Sequence, residues 1–268
     1  MFAEEYGDYF EGDMLLTEAQ RKEIENAKMS DEDNEDNTPK NGLIYAHLRW
    51  PNNTVVYDIV EGDFNKEQKR MFEDGLQEIA GKSCVRFRRR KSKDEYAAIL
   101  QGKRDGCYSD VGYNKADNKK NQRINLSKNC FVHGTIVHEI LHTIGFFHMQ
   151  STYDRDDYVT IFWENIETGK ESNFAKYTNR TVTDFGLPYD YGSVMHYGEK
   201  AFSKNGQNTM TPKKDGAKIG QRKGLSKSDS IKLNKMYNCP KEETTTARET
   251  IMDWNFLNGL PKPWQYLH

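Results

Sequence analysis

The sequence predicts an α+β protein of two lobes, the first rich in sheet and the second rich in loops. Three observations predict it. Short β-branched or alternating segments recur between residues 54 and 126, two segments carry helical spacing ahead of Gly145, and regular patterning stops after Tyr158. At 268 residues the chain can bury a sizeable core, expected as one body at 41–240 between flanking segments 1–40 and 241–268.

The elements follow in order. Residues 54–60 are β-branched and follow the turn residues Pro51-Asn52-Asn53, so they read as a strand. Phe64 to Ile79 sets Met71, Leu76 and Ile79 among charges, the pattern of an amphipathic helix. Cys84–Phe87 alternates as a second strand and Ala97–Leu100 as a third. Tyr108–Gly112 is expected as the edge strand over the cleft, and Arg123–Leu126 as another strand. A helix spans Gly134 to Ile144. A last helix, capped by Ser226 or Ser228, ends near Tyr237.

Charge divides the chain. Residues 1–40 carry 13 acids against 4 bases, whereas the remainder carries 28 against 35. An acidic segment beside a basic body suggests that one covers the other, although DEDNEDN at 31–37 reads as a solvated tail. No apolar run approaches a membrane span, and no nucleic-acid partner is expected. No apolar stretch follows Met1, so the expectation is a secreted chain whose signal peptide has been removed. Cys84, Cys107, Cys130 and Cys239 are even in number with no CxxC spacing, which favours disulfides; sequence alone leaves three pairings open. Sequons at Asn52, Asn125 and Asn179 fit secretion.

The chemistry concentrates in HEILHTIGFFH at 138–148. Residues four apart on a helix differ by only about 40° around the axis, so His138 and His142 share a face and can grip one ion. Glu139 points to the neighbouring side, within reach of a metal-bound water. Gly145 lets the chain leave the helix with positive φ and bring His148 back as a third ligand. Three imidazoles with an open fourth position describe a catalytic zinc site, since structural sites close all four positions.

The run continues into Asp154-Arg155-Asp156-Asp157-Tyr158-Val159, and a second segment reads Ser193-Val194-Met195-His196-Tyr197. With these the sequence resembles the metzincin metalloproteases, and within them the astacin family, over roughly residues 41 to 240. The resemblance implies a twisted sheet plus zinc helix in the N-terminal lobe, and one Zn2+ on His138, His142 and His148. It also implies a Met-turn at Met195, Tyr197 as a swinging ligand that donates to the oxyanion, and disulfides Cys84–Cys239 and Cys107–Cys130. Glu139 is then the general base of a secreted extracellular endopeptidase acting on protein or peptide substrates. Substrate is expected extended along Tyr108–Gly112. Arg222 falls where the family lines the first primed pocket and favours an acidic residue after the scissile bond; a solvated basic face with Lys213, Lys214, Lys218 and Lys223 is the alternative.

Phe10-Glu11-Gly12-Asp13 resembles the FxGD element of astacin propeptides, in which the Asp binds the zinc and blocks it. Residues 1–40 are therefore expected to be a propeptide. An activating trypsin-like protease is expected to cut between Lys40 and Asn41, in the loop Thr38-Pro39-Lys40. Two positions depart from the family: Met149 replaces the Glu that receives the mature N-terminus, and Thr152 replaces an Arg. Asp154 or Asp156 is the candidate to take over part of that role. The competing class is a non-enzymatic secreted zinc-binding module, against which Glu139 speaks, because a structural zinc needs no base. The tail 241–268 has no family counterpart.

Overall fold

The computed structural model describes residues 5, 7–29, 40–43, 46–115, 121–177 and 182–240. In chain order the elements are β1 (Met14–Leu15), α1 (Glu18–Met29), β2 (Lys40–Leu43), β3 (Thr54–Ile59), α2 (Lys66–Gly81), β4 (Arg86–Arg89) and β5 (Ala97–Gln101). They continue with β6 (Cys107–Asp110), β7 (Asn121–Leu126), α3 (His133–Thr143), β8 (Val159–Ile161), β9 (Val182–Asp184), β10 (Met210–Pro212) and α4 (Lys227–Met236). The tail 241–268, the sequon at Asn179 and the loop residues Thr38-Pro39 lie outside the described residues.

Six strands form one mixed sheet in the order β1-β6-β7-β5-β3-β4. All neighbours run parallel except β6 against β7. Parallel neighbours need crossovers, and α2 supplies the one between β3 and β4. Asn65 caps α2 by accepting the Gln68 N–H at 2.9 Å, while Gln68 Oε1 accepts the Asn65 N–H, a reciprocal capping box. The helix buries Phe72, Gly75, Leu76 and Ile79, against which α3 packs, while α3 also lies against β6. Met71 is only half-buried, so Phe72 carries the packing expected of it.

Differences from the sequence reading are local. The second strand starts at Arg86 instead of Cys84, because Cys84 is bonded to Cys239 and its N–H is turned toward that sulfur, 3.0 Å away. The cleft strand is Cys107–Asp110, and Gly112 instead donates its N–H to the His142 carbonyl at 2.9 Å. Trp50 precedes the strand at 54–59 by one tight turn and is buried beside Tyr96 and Tyr113.

Among the described residues the second lobe is built of tight turns, the two-stranded ladder of β8 with β10, the strand β9 paired with β2, and a smaller core of Val159, Ile166, Phe174, Tyr197, Ala201, Phe202 and Met210. Ser226, the first of the two candidate caps, begins α4. Cys84–Cys239 ties the end of that helix to the first lobe, and Cys107–Cys130 closes a loop ahead of α3. Asn125 is fully buried and donates to the carbonyls of Arg104 and Gly106, so that sequon is closed to a glycan; Asn52 is exposed.

Candidate metal centre

The helix α3 is buried from Gly134 to Thr143, and its C-terminal end has no loose carbonyl. Gly145, at φ 107°, donates to the His142 carbonyl at 2.8 Å, and Phe146 donates to Leu141 at 2.9 Å, a Schellman ending. The Trp50 indole donates to the Thr143 carbonyl at 2.9 Å and the Tyr237 hydroxyl to the Ile144 carbonyl at 3.0 Å. Satisfying these four otherwise orphaned acceptors fixes the direction in which the chain leaves toward His148.

Three imidazoles then converge. The Nε2 atoms of His142 and His148 each lie 3.1 Å from that of His138. Four tetrahedral ligands at about 2 Å from one zinc would stand roughly 3.3 Å apart, so this spacing fits a shared ion. The other ring nitrogens set the tautomers. His138 Nδ1 donates to the Val194 carbonyl at 2.8 Å, His142 Nδ1 to the Phe146 carbonyl at 2.7 Å, and His148 Nδ1 to the Glu11 carboxylate at 2.8 Å. Each ring therefore turns its Nε2 lone pair toward the same point, as metal ligation requires. Burial pushes His138 down to about 3, which keeps it a neutral donor of electrons.

The fourth group is Asp13. Its Oδ2 lies 3.0 Å from His138 Nε2, its Oδ1 is 3.4 Å from His142 Nε2, and the side chain is fully buried. Among the described residues Asp13, His138, His142 and His148 are the group able to hold a metal ion. Burial opposes the Asp13 charge, but the imidazoles of His148, His142 and His138 outweigh it and hold the carboxyl well below its usual range. Glu139 is fully buried on the same helix. The Tyr197 hydroxyl donates to the Glu11 backbone carbonyl at 2.6 Å, with its ring 4.7 Å from that of His148. Burial, then Glu11 and Asp13, push its pKa well above the ordinary value, so it remains a donor.

Residues 43–238 match the peptidase family described as Astacin. The chain belongs to the astacin family. It is 44% identical over 204 residues to Zinc metalloproteinase nas-15 of Caenorhabditis elegans, covering 75% of this chain and 34% of that protein. It is 37% identical over 235 residues to nas-4 of the same organism, covering 87% of this chain and 70% of that protein. Several of the curated relatives are therefore much longer than the stretch matched. The solved structure of High choriolytic enzyme 1, a hatching enzyme zinc-protease from Oryzias latipes, superposes with TM-score 0.64 at 34% identity, covering 72% of this chain and 94% of that one. The ion of this astacin centre is zinc, and the donor set of three imidazoles and one carboxylate suits it.

Met195 is fully buried in the main core, and its carbonyl accepts the Met149 N–H at 3.0 Å, tying the Met-turn to the residue after His148. Arg222 is 6% exposed, which removes the solvated-face alternative. Its Nη1 donates to the His196 carbonyl at 3.0 Å. Tyr108 is buried against Tyr9, ring centroids 4.4 Å apart, while β1 pairs with β6 and covers the edge expected to take substrate. Lys40 and Asn41 begin β2, which pairs with β9 and bulges between Lys40 and Gly42, so the expected cut falls on a ladder and not in a free loop.

Asp156 pairs with Arg155 and Lys176, and the buried Lys232 ammonium lies 3.3 Å from Met149 Sδ. Sequence reading missed Glu5, Glu11 and Asp229. Asp229 accepts the Ser193 hydroxyl at 2.6 Å and the Val194 N–H at 3.0 Å, and so steadies the carbonyl that orients His138. Its signal was visible as the third residue after the Ser226 cap. Glu5 and Glu11 carried no signal beyond acidity.

Proposed function

We propose that this astacin is a secreted zinc-dependent endopeptidase held latent by its own residues 1–40. The observation that carries the reading is Asp13: one carboxylate sits among three metal-facing nitrogens, where a catalytic site leaves its fourth position open. Zinc, when bound, supplies a Lewis acid that brings the pKa of a water toward neutrality. Glu139 accepts that water's proton and delivers it to the leaving amine. Tyr197 donates to the carbonyl oxygen of the scissile peptide, as it now donates to the Glu11 carbonyl. Extended substrate pairs with β6 in place of β1, and Arg222 selects an acidic residue after the scissile bond.

Two disulfides support an oxidising, extracellular setting, and no helix among the described residues is long and apolar enough to cross a membrane. Residues 41–240 are the catalytic body in this reading, released when a trypsin-like protease cuts after Lys40. The test is gelatin hydrolysis before and after limited trypsin digestion, with N-terminal sequencing of the product. Activity that appears on digestion, with Asn41 as the new terminus, and vanishes with chelator is the expected result. Digested protein that binds zinc yet leaves gelatin intact would mark a zinc-binding module instead.

A further inference from the structure

Among the described residues of the N-terminal segment, three carboxylates are buried in the cleft: Asp13, Glu11 and Glu5. The first two meet the metal-facing imidazoles, whereas Glu5 reaches a different place. Its Oε1 accepts the Gly198 N–H at 2.6 Å and lies 3.3 Å from Arg222 Nη2, with both side chains 1% exposed. Arg222 is already held from two sides, because its Nη1 donates to the His196 carbonyl and its own carbonyl accepts the Gly134 N–H at 3.0 Å. A Cβ on Gly198 would stand 3.3 Å and 3.4 Å from the two Glu5 oxygens, so the glycine makes room for a carboxylate there. A buried guanidinium and a backbone N–H aimed at one oxygen form a carboxylate-binding pair. Removing either partner of such a pair strands the other charge in a site without water.

We propose that Arg222 and the Gly198 amide form a carboxylate site whose resident ligand is Glu5, and that this contact anchors the N-terminal segment independently of the metal. The proposal deepens the latency reading and rests on it for its biological meaning. Asp13 and Glu5 are eight residues apart on one short segment, so each anchor raises the local concentration of the other. Loss of zinc then leaves the cleft covered, and an acidic substrate residue must displace Glu5 before it can use Arg222.

The test is backbone hydrogen exchange, read by mass spectrometry on the uncut full chain, zinc-loaded and chelator-stripped. Glu5→Gln is expected to speed exchange of residues 8–15 and of Gly198 by about tenfold or more in both forms, the scale of one charge-assisted hydrogen bond. Asp13→Ala is the comparison: it should speed exchange of residues 8–15 while leaving Gly198 protected in the stripped chain. Wild-type exchange at Gly198 or at residues 8–15 in stripped Glu5→Gln would overturn the proposal. If Asp13→Ala leaves the uncut chain inactive while Glu5→Gln still loosens both regions, the anchor stands and Asp13 is not the group that blocks the metal site.

Discussion

The two sides of the metal centre are built by opposite means. On one side His138 and His142 share a face of α3 and His148 returns after a capped turn, so the ligands are near neighbours in sequence. On the other side Asp13 reaches His138 across 125 residues and Glu5 reaches Arg222 across 217. The helix side is held by backbone bonds that end in four satisfied carbonyls. Among the described residues, the N-terminal side places the two-residue β1 on the sheet and adds carboxylates that meet cationic or metal-facing groups. On the proposed latency reading, the difference teaches that one half of the centre is permanent and the other is attached. Contacts made by side chains at long range would then be lost together when the segment is cut away.

That contrast can be broken or sharpened by substitution. The largest effect is expected on the permanent side, where Glu139→Gln should cut gelatin hydrolysis by trypsin-activated protein by roughly 10²–10⁴-fold. Zinc content measured by elemental analysis should stay at one ion per chain; a variant that hydrolyses normally would remove Glu139 from the chemistry.

Next comes Asp229→Ala, which leaves the Ser193 hydroxyl and the Val194 and Ser226 N–H groups without their acceptor. We expect a loss of about 3 kcal/mol in denaturant unfolding, with zinc affinity down about tenfold because the Val194 carbonyl no longer orients His138. Unchanged zinc affinity beside the stability loss would confine Asp229 to folding.

On the attached side, Asp13→Ala should raise activity of the uncut chain by about 10- to 100-fold without altering its melting temperature by more than a few degrees. A silent Asp13→Ala chain would mean that the segment blocks the cleft by coverage alone.

The smallest effect concerns Glu78, which accepts from His133 at 2.6 Å, Lys82 at 2.7 Å and the Leu225 N–H at 3.0 Å, joining α2 to the start of α3. Burial raises its pKa, but the Lys82, His133 and Leu225 contacts lower it further. A depressed carboxylate contributes stability above its unfolded value, near 4.3, and loses that contribution as pH falls through the folded value. Glu78→Gln should therefore cost about 1 kcal/mol at pH 7 and flatten the acid limb of the stability curve. An acid limb as steep as wild type would show that Glu78 is not the group responsible.

Much of the centre was legible in the sequence because its logic is short-ranged. The offsets of His138, Glu139, His142, Gly145 and His148 translate directly into helix faces and a positive-φ exit, and the structure brings the three rings together. Asp13 was legible through a four-residue motif. Glu5 and Glu11 were not, since nothing local separates them from the other acids of residues 1–40. The second lobe was equally opaque: its core of Phe174, Tyr197, Phe202 and Met210 is gathered from tight turns that carry no period. The start of β4 at Arg86 was missed because a distant cysteine, Cys239, decides where Cys84 sits.

By itself the sequence determined the metal-binding helix, its exit at Gly145 and the residue types around the ion, because helical geometry repeats every few residues and needs no distant partner. Only the tertiary structure decided which acids of the N-terminal segment enter the cleft and where Arg222 points. Those choices depend on contacts closed over more than a hundred residues, where burial and charge pairing select one carboxylate among many that look alike along the chain.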